Sequence, residues 1–583
     1  MRNKIISIHV GLIFLFIFGL FSIAEGSQPL EQLLRIDALK RGGEVVVPPG
    51  EWFVSGHLII PRTLSLRVQT GASLRLLPGS TLRVEGPFAA PENRVFSDIG
   101  KVRFSGSMPR EVSPTWWGTR GDGSSDDTGG IQMAIDSLDQ GEVNLRQGTY
   151  MIGPTKKVPE IVFLTVKPNI TLTGAGMRKT VLKVRNNVGP YHYIFSAPTK
   201  STDCSHLRIQ DLTIDSNIEN NPLQNEQNIK IFPRMSIALF NSSDIVIDRV
   251  EFINESSINT VSLNGVKVQQ VSIINCRFNN IGDDPNQVRH DHSSIYTHAN
   301  GVVIRGNEFR SAGIDKPGAR TAIETHGSDT LVEGNRITDY SKGMNITGVS
   351  HETSRNVTVR RNQIINANYG ILLWSYKYRD HKEGFGFDGV NILGNQIFLR
   401  QTKYSNHRYS SGIFINPGSD LPLRALHIDN NTIKFELESL PGNSTPDSFG
   451  IGYRTSNGGW VEESSISNNT IMNSPASGIR FNCVAKGLEI TGNTIVNPGT
   501  AIDKSLPNQF RVGIYIALDQ LEKVVIKGNS ISDTLLKARM VGGIFLGQNA
   551  SPPGVVIAEN RVIISEKNPS SFRGNEISNA TWH

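Results

Sequence analysis

Cysteine is nearly absent from this chain: three residues in 583, Cys204, Cys276 and Cys483, lie far apart and match no metal-ligand spacing. A disulfide framework is thereby excluded, and the three thiols are expected to be buried. Basic runs interleaved with aromatic residues are missing too. The net charge of +6 is small for this length, so nothing marks a nucleic-acid binder, although an acidic ligand is permitted. No long low-complexity tract occurs, and most of the chain should be ordered.

Only one long apolar run exists, from Ile5 to Ala24. Arg2 and Lys4 precede it, and the small residues Ala24 and Gly26 close it, which is the order of a secretory signal over residues 1–26 with cleavage after Gly26. The run is also long enough to span a bilayer if left uncleaved. On the first reading the mature chain is soluble and exported (secreted, periplasmic or at the cell surface), with no membrane contact after cleavage.

What the chain does contain is an irregular repeat. One element centres on Asn followed two places on (three in "INCRF") by an apolar residue: "INCRF", "RGNEF", "EGNRI", "RRNQI", "LGNQI", then "NNTI" twice, "GNTI", "GNSI" and "ENRVI". The Asn positions, from Asn275 and Asn307 to Asn529 and Asn560, are spaced by 24 to 38 residues. Variable spacing around short β-branched segments predicts coils of a β-solenoid with loops of different length. Asn tolerates the left-handed conformation of a tight turn, and stacked Asn side chains can hydrogen-bond from coil to coil.

A second element follows each Asn segment, as in "GMNIT", "GILLW", "GIFIN", "GIRFN" and "GIYIA". Apolar and outward residues alternate in it with period two, which stacks Ile323, Ile371, Ile413, Ile451, Ile479, Ile514 and Ile544 in the interior. The expected architecture is all-β: a parallel β-helix over residues 109–583, preceded by a small β-rich segment at 27–108. A short capping helix is expected within 116–138, where Asp126 or Asp127 can cap a face of Ile131, Ala134, Ile135 and Leu138.

"WGTRGDGSSDDT" and "IQMAID", followed by "GEVNLRQGTYMI", resemble the opening of pectate-lyase-superfamily β-helix proteins, among them polygalacturonase-like enzymes and phage tailspike-like depolymerases. Gly129 and Gly130 stand where that pattern has a small residue such as Ala. The resemblance implies a right-handed helix acting on carbohydrate, and supplies no catalytic residue, because the motif belongs to the cap. Asp122, Asp126 and Asp127 are accordingly read as structural rather than as a metal site.

Aligned strands give two outward columns, expected to be exposed. The first runs Ala238, Ser262, Tyr296, Glu324, Asn345, Leu372, Phe414, Gly452, Arg480, Tyr515, Phe545; the second includes His298, His326, Thr347, Trp374, Asn416 and Arg454. Tyr296, His298, Glu324 and His326 fall on adjacent coils, and extending each strand backward adds His292 above Arg320. Clustered titratable groups mark sites. Cleavage of a uronic-acid polysaccharide by β-elimination needs a base, a stabilised enolate and an acid. Tyr296, His298 and His326 can serve as base and acid, Arg320 can hold the carboxylate, and Glu324 can orient a His.

Hydrolysis would need a second carboxylate, supplied by a loop: Asp283, Asp284, Asp291 or Asp315. "GDD" at 282–284 is a superficial match to polygalacturonases, and the Gly-His-Gly segment of those enzymes is absent. No cofactor is certain, but "HDH" at 290–292 with His298, Glu324 and His326 could ligate a divalent metal ion. Asn345, Trp374, Asn416, Arg454 and Arg480, with Tyr376 and Tyr378, read as substrate-binding positions; for Leu372 and Phe414 simple packing is the better reading. The expected partner is a polysaccharide, acidic in character. A non-catalytic glycan binder or adhesin, and a structural component, stay open, as does the oligomeric state.

Overall fold

The computed structural model describes residues 27–563 except 35–41, 99, 107–109, 156–159, 266, 287–290, 315, 317–319, 349–351, 376–383, 401–409, 418–420, 438–447, 455–458, 502–505, 517–520, 536–538 and 547–553. Residues 1–26, where a signal segment is expected, lie outside the described residues, as do His290, Asp315, Tyr376 and Tyr378. Among the described residues no helix is long and apolar enough to cross a membrane.

The chain divides into two compact units, 1–103 and 104–583. In the first, three small sheets are each built from strands of successive coils paired in parallel. Val45, Leu66 and Phe88 stack in one sheet, and Trp52, Leu74 and Phe96 in another. The β-rich segment is thus itself a short solenoid.

The second unit is a right-handed parallel β-helix. Each regular coil adds one strand to a 13-stranded sheet and two to a 28-stranded sheet. One coil, for example, comprises Ser293–Thr297, Asn300–Arg305 and Glu308–Ser311. The capping helix spans Thr128–Ser137 and buries Ile131, Ala134 and Ile135. Asp126 accepts from the Thr128 N–H at 3.1 Å. Asp127 turns back and accepts from the N–H groups of Arg120 (2.7 Å) and Gly121 (3.1 Å). Asp122 accepts from the N–H groups of Ser124 and Ser125, and these bonds depress its pKa. All three acids therefore serve the turn that starts the helix. The departure at Gly130 has a steric cause: a Cβ there would lie 2.6 Å from Thr119 Cγ2.

At one corner of the helix runs a ladder of asparagines. Asn431 is typical: its Nδ2 donates to the Ile392 carbonyl (2.8 Å) and to Asn469 Oδ1 (2.9 Å), while its Oδ1 accepts from the N–H and Nδ2 of Asn395. The same pattern links Asn307, Asn335, Asn362, Asn395, Asn431, Asn469, Asn493, Asn529 and Asn560. Asn275 is not a member. In "INCRF" Cys276 holds the rung, its N–H donating to Asn307 Oδ1, and Asn275 takes the left-handed position before it (φ 55°). Gly306, Gly334, Gly394 and Asn430 occupy that position in other coils. The conformational and ladder roles of Asn thus belong to neighbouring residues.

Ile371, Ile413, Ile451, Ile479 and Ile514 stack in register as expected, each fully buried, with Met344 between Ile323 and Ile371. The residue before each of them breaks the alternation. At Gly370, Gly412, Gly450 and Gly478 a Cβ would meet the next coil's carbonyl oxygen at 2.4–2.9 Å and a core Ile side chain at 2.4–2.6 Å. Two consecutive residues therefore face inward, and the strand's first residue is turned outward.

Thr260 and Ser294 replace glycine at this position in the early coils. Nearby, Glu255 is fully buried and accepts from Ser236 Oγ at 2.8 Å. Burial is the dominant influence on Glu255 and raises its pKa to about 7.

Two outcomes are expected. Asn431→Ala should destabilise the second unit by about 3 kcal/mol, because buried donors of Asn395 lose their acceptor. Asn275→Ala, off the ladder, should lose only about 1 kcal/mol, the strain of a left-handed Ala. Denaturant unfolding of both variants measures the difference. Glu255 binds its proton more tightly folded than unfolded, so its contribution is complete below the unfolded pKa and lost as pH rises towards 7. Glu255→Gln should therefore remove a decline of roughly 3 kcal/mol between pH 4 and 8, read as melting temperature against pH in the two proteins.

Candidate functional site

The 13-stranded sheet carries both predicted columns in the predicted register. Ser262 pairs with Tyr296, Tyr296 with Glu324, Glu324 with Asn345 and Asn345 with Leu372. His326 pairs with Thr347, Thr347 with Trp374, and Trp374 with Asn416. What differs is exposure. The columns are largely covered rather than solvated: Ala238, Ser262, Thr347, Leu372 and Phe414 are buried, and His326 is 5% exposed.

Four of the predicted residues converge. The Tyr296 hydroxyl lies 2.8 Å from His298 Nε2, and His326 Nε2 lies 3.2 Å from Glu324 Oε1. The two imidazoles stack at 4.1 Å between centroids, and the Tyr296 ring meets His326 edge-on at 5.4 Å. Asn345 Nδ2 donates to Glu324 Oε1 (3.1 Å) and Ser293 Oγ to Oε2 (2.6 Å). Burial opposes ionisation of Glu324, but hydrogen bonds from His326 and Ser293 and the charges of His326 and Lys342 outweigh it, and its pKa falls below the usual value. An ionised Glu324 accepting from His326 Nε2–H leaves Nδ1 as that ring's basic nitrogen.

Two predicted members do not join this hydrogen-bonded group. His292 is fully buried, its ring 6.4 Å from that of Tyr340 inside the helix. The backward extension assumed unbroken alternation, and the inward pair Ser294 and Ile295 flips everything before it. His292 therefore cannot join the proposed metal set with His298, Glu324 and His326. Among the described residues no group of three or more His, Cys, Asp or Glu is arranged to hold a metal ion. Arg320 is engaged with Asp291 at 3.0 Å, and that Asp side chain is 90% exposed. Of the other loop acids, Asp283 pairs with Lys316 at 2.7 Å and Asp284 is buried, accepting from the Asn286 N–H.

Sequence reading missed two groups, Ser293 and Lys342. Both precede an inward pair and turn toward Glu324; the "GM" dipeptide signals this for Lys342, whereas Ser293 precedes "SI", where no glycine marks the bend. Further along the sheet, Leu372 and Phe414 pack with Tyr369 and Phe449, and Trp374 rests half-buried on them, 6.4 Å from the Phe414 ring. Asn416 and Arg454 are half-buried. Arg480, expected on an open subsite, is only 7% exposed; its guanidinium lies over Phe510 (5.0 Å) and Tyr515 (5.9 Å).

No family model matches the chain. Among curated proteins, mannuronan C5-epimerase AlgE3 of Azotobacter vinelandii is 36% identical over 112 residues, 18% of this chain and 6% of that protein. Alginate lyase 7 of the same organism is 33% identical over 107 residues, 18% of this chain and 12% of that protein. The chain thus spans about a tenth or less of the length of these relatives. Among solved structures, a double mutant of the tailspike protein of E. coli bacteriophage HK620, in complex with pentasaccharide, superposes with a TM-score of 0.50 at 15% identity, over 75% of this chain and 77% of that one. The A-module of Azotobacter vinelandii mannuronan C-5 epimerase AlgE6 aligns over 77% and 98% at 15% identity, with a TM-score of 0.41. The tailspike likeness establishes the fold this chain shares with known proteins: the parallel β-helix.

Proposed function

We propose that this protein is an exported carbohydrate-active enzyme of the pectate-lyase superfamily that cleaves an acidic polysaccharide by β-elimination. One observation carries the reading. Two hydrogen-bonded acid–base pairs, Tyr296–His298 and His326–Glu324, stand on adjacent coils with their imidazoles 4.1 Å apart. Proton removal beside a uronate carboxylate needs a base near neutral pKa and, opposite it, a proton donor for the leaving oxygen. His326 Nδ1 takes the C5 proton. The electron pair forms the C4=C5 bond as the C4–O bond breaks, and the Tyr296–His298 pair protonates the departing oxygen. Glu324 holds the imidazole and stabilises its protonated form.

Hydrolysis has less support, because Glu324 is the only acid in the two columns and hydrolysis calls for two carboxylates across the bond. Epimerisation at C5 is the second reading. It shares the proton abstraction, and the similarity to proteins named mannuronan C5-epimerases favours it. It differs in returning a proton to carbon instead of breaking C4–O.

The deciding experiment incubates the protein with a panel of acidic polysaccharides. Absorbance of unsaturated products together with new reducing ends means elimination. Reducing ends alone mean hydrolysis, inverted C5 signals by NMR without new ends mean epimerisation, and binding without change means an adhesin; each of the last three overturns elimination. On the cleaved polymer, His326→Ala should lower turnover by about 10²- to 10⁴-fold. Because the ring is buried and stacked, it should also lose roughly 1 kcal/mol of stability. Tyr296→Phe keeps the ring, so kcat should fall with little movement of the melting curve. Unchanged kcat in both variants would leave these side chains without a chemical role.

A further inference from the structure

The inward turn at Gly343 has a consequence for charge. A Cβ on Gly343 would lie 2.6 Å from the Gly370 carbonyl oxygen and 2.8 Å from Ile364 Cδ1, so Gly343 and Met344 both face the core. Lys342 is thereby sent to the site side of the sheet. Its neighbours in register agree. Ser293, two coils before, donates to Glu324, and Tyr369, one coil after, packs on Leu372 and Phe414. Unbroken alternation from Met344 would have put Lys342 on the core side; the inward pair Gly343 and Met344 turns it out instead, in register with Thr321 rather than in the Glu324 column.

Lys342 is mostly enclosed, and it interacts electrostatically with Arg320, Asp291 and Glu324. Both neighbouring anions are already engaged. Asp291 pairs with Arg320, and the Glu324 oxygens accept from His326, Asn345 and Ser293. Among the described residues the Lys342 ammonium has no ion pair within 4.0 Å and no hydrogen bond. An enclosed cation without a partner is costly, and a second cation beside it adds to that cost. Burial first, and then Arg320, lower its pKa. Two cations converging where the protein offers one of them no anion form a receptor for an external anion.

We propose that Lys342, with Arg320 beside it, binds the carboxylate of the sugar whose C5 proton is removed, and so confines the site to acidic polysaccharides. The inference rests on the function proposed above, and gives Lys342 the principal part that the sequence alone assigned to Arg320. The ammonium neutralises the carboxylate on binding. As the C5 proton passes to His326, it stabilises the charge that develops on the carboxyl oxygens. No proton need leave Lys342 at any step.

The test separates recognition from turnover. Tetrasaccharides of mannuronate, guluronate, galacturonate and glucuronate, each beside its methyl ester, are titrated calorimetrically into His326→Ala protein, which suppresses cleavage. The acid form of at least one sugar should bind more tightly than its ester. Adding Lys342→Gln should cut acid affinity by about 10- to 100-fold, the worth of a charged hydrogen bond, and leave ester affinity unchanged. Lys342→Arg should restore part of the preference. Because the cation lacks a partner, Lys342→Gln should melt no lower than its parent, which excludes misfolding as the cause. A preference retained by the Gln variant, or equal binding of acid and ester before substitution, overturns the subsite while leaving the elimination chemistry standing. If no tetrasaccharide binds, the acidic-polysaccharide reading falls and takes the subsite with it.

Discussion

Coil-to-coil registration is the constraint on which the rest of this protein depends. In a parallel solenoid each strand can pair with the next in several registers, and a slip of one residue exchanges interior for exterior along the whole strand. The asparagine ladder removes that freedom. Each buried Asn amide satisfies a carbonyl of the preceding coil and the Oδ1 of the following rung, so a slipped coil would strand several buried polar groups at once. With the corner pinned, equal positions in successive repeats become neighbours in space. Loops of different length then leave the columns undisturbed.

The glycine position refines this geometry. Between the ladder and the core Ile, most later coils carry a glycine so close to the next backbone that a side chain would collide with it. Two residues in a row face the core, and the first residue of the strand points to the other side. The early coils solve the same packing problem differently, with Thr260 and Ser294 in place of glycine and with Glu255, Tyr340 and His292 beneath. A polar interior thus underlies the coils that bear the Tyr296–His298 pair, whereas aliphatic packing underlies the aromatic cluster around Phe414.

Enclosure sets the electrostatics of the candidate site. Glu324 lies in an environment that disfavours charge, and it remains ionised because three neutral or cationic donors are aimed at its two oxygens. That arrangement fixes the tautomer of His326 and orients its ring against His298. The same enclosure, and then Arg320, lower the pKa of Lys342, whose neighbouring anions are already committed. On the proposed reading, the same removal of solvent strengthens the attraction of Lys342 for a substrate carboxylate.

Much of this was legible in the residues. Period-two alternation and the recurring Asn–x–apolar unit specified a parallel solenoid. Because column membership depends only on counting along each strand from a pinned corner, Tyr296, Glu324 and Asn345, and His326, Thr347 and Trp374, could be aligned correctly from sequence. Other features were decided by tertiary contacts. Cys276 rather than Asn275 holds the first rung because side-chain bonding to the next coil, not residue type, defines the ladder. His292 lies inside because close backbone approach breaks the alternation at Ser294 and Ile295. The columns are covered rather than solvated because side chains from separate strands, such as Tyr369 and Phe449, close over them. Local pattern determined which residues share a strand face. Which faces meet water, and which charges find partners, was settled only when distant coils came together, since burial and pairing are properties of the assembled chain.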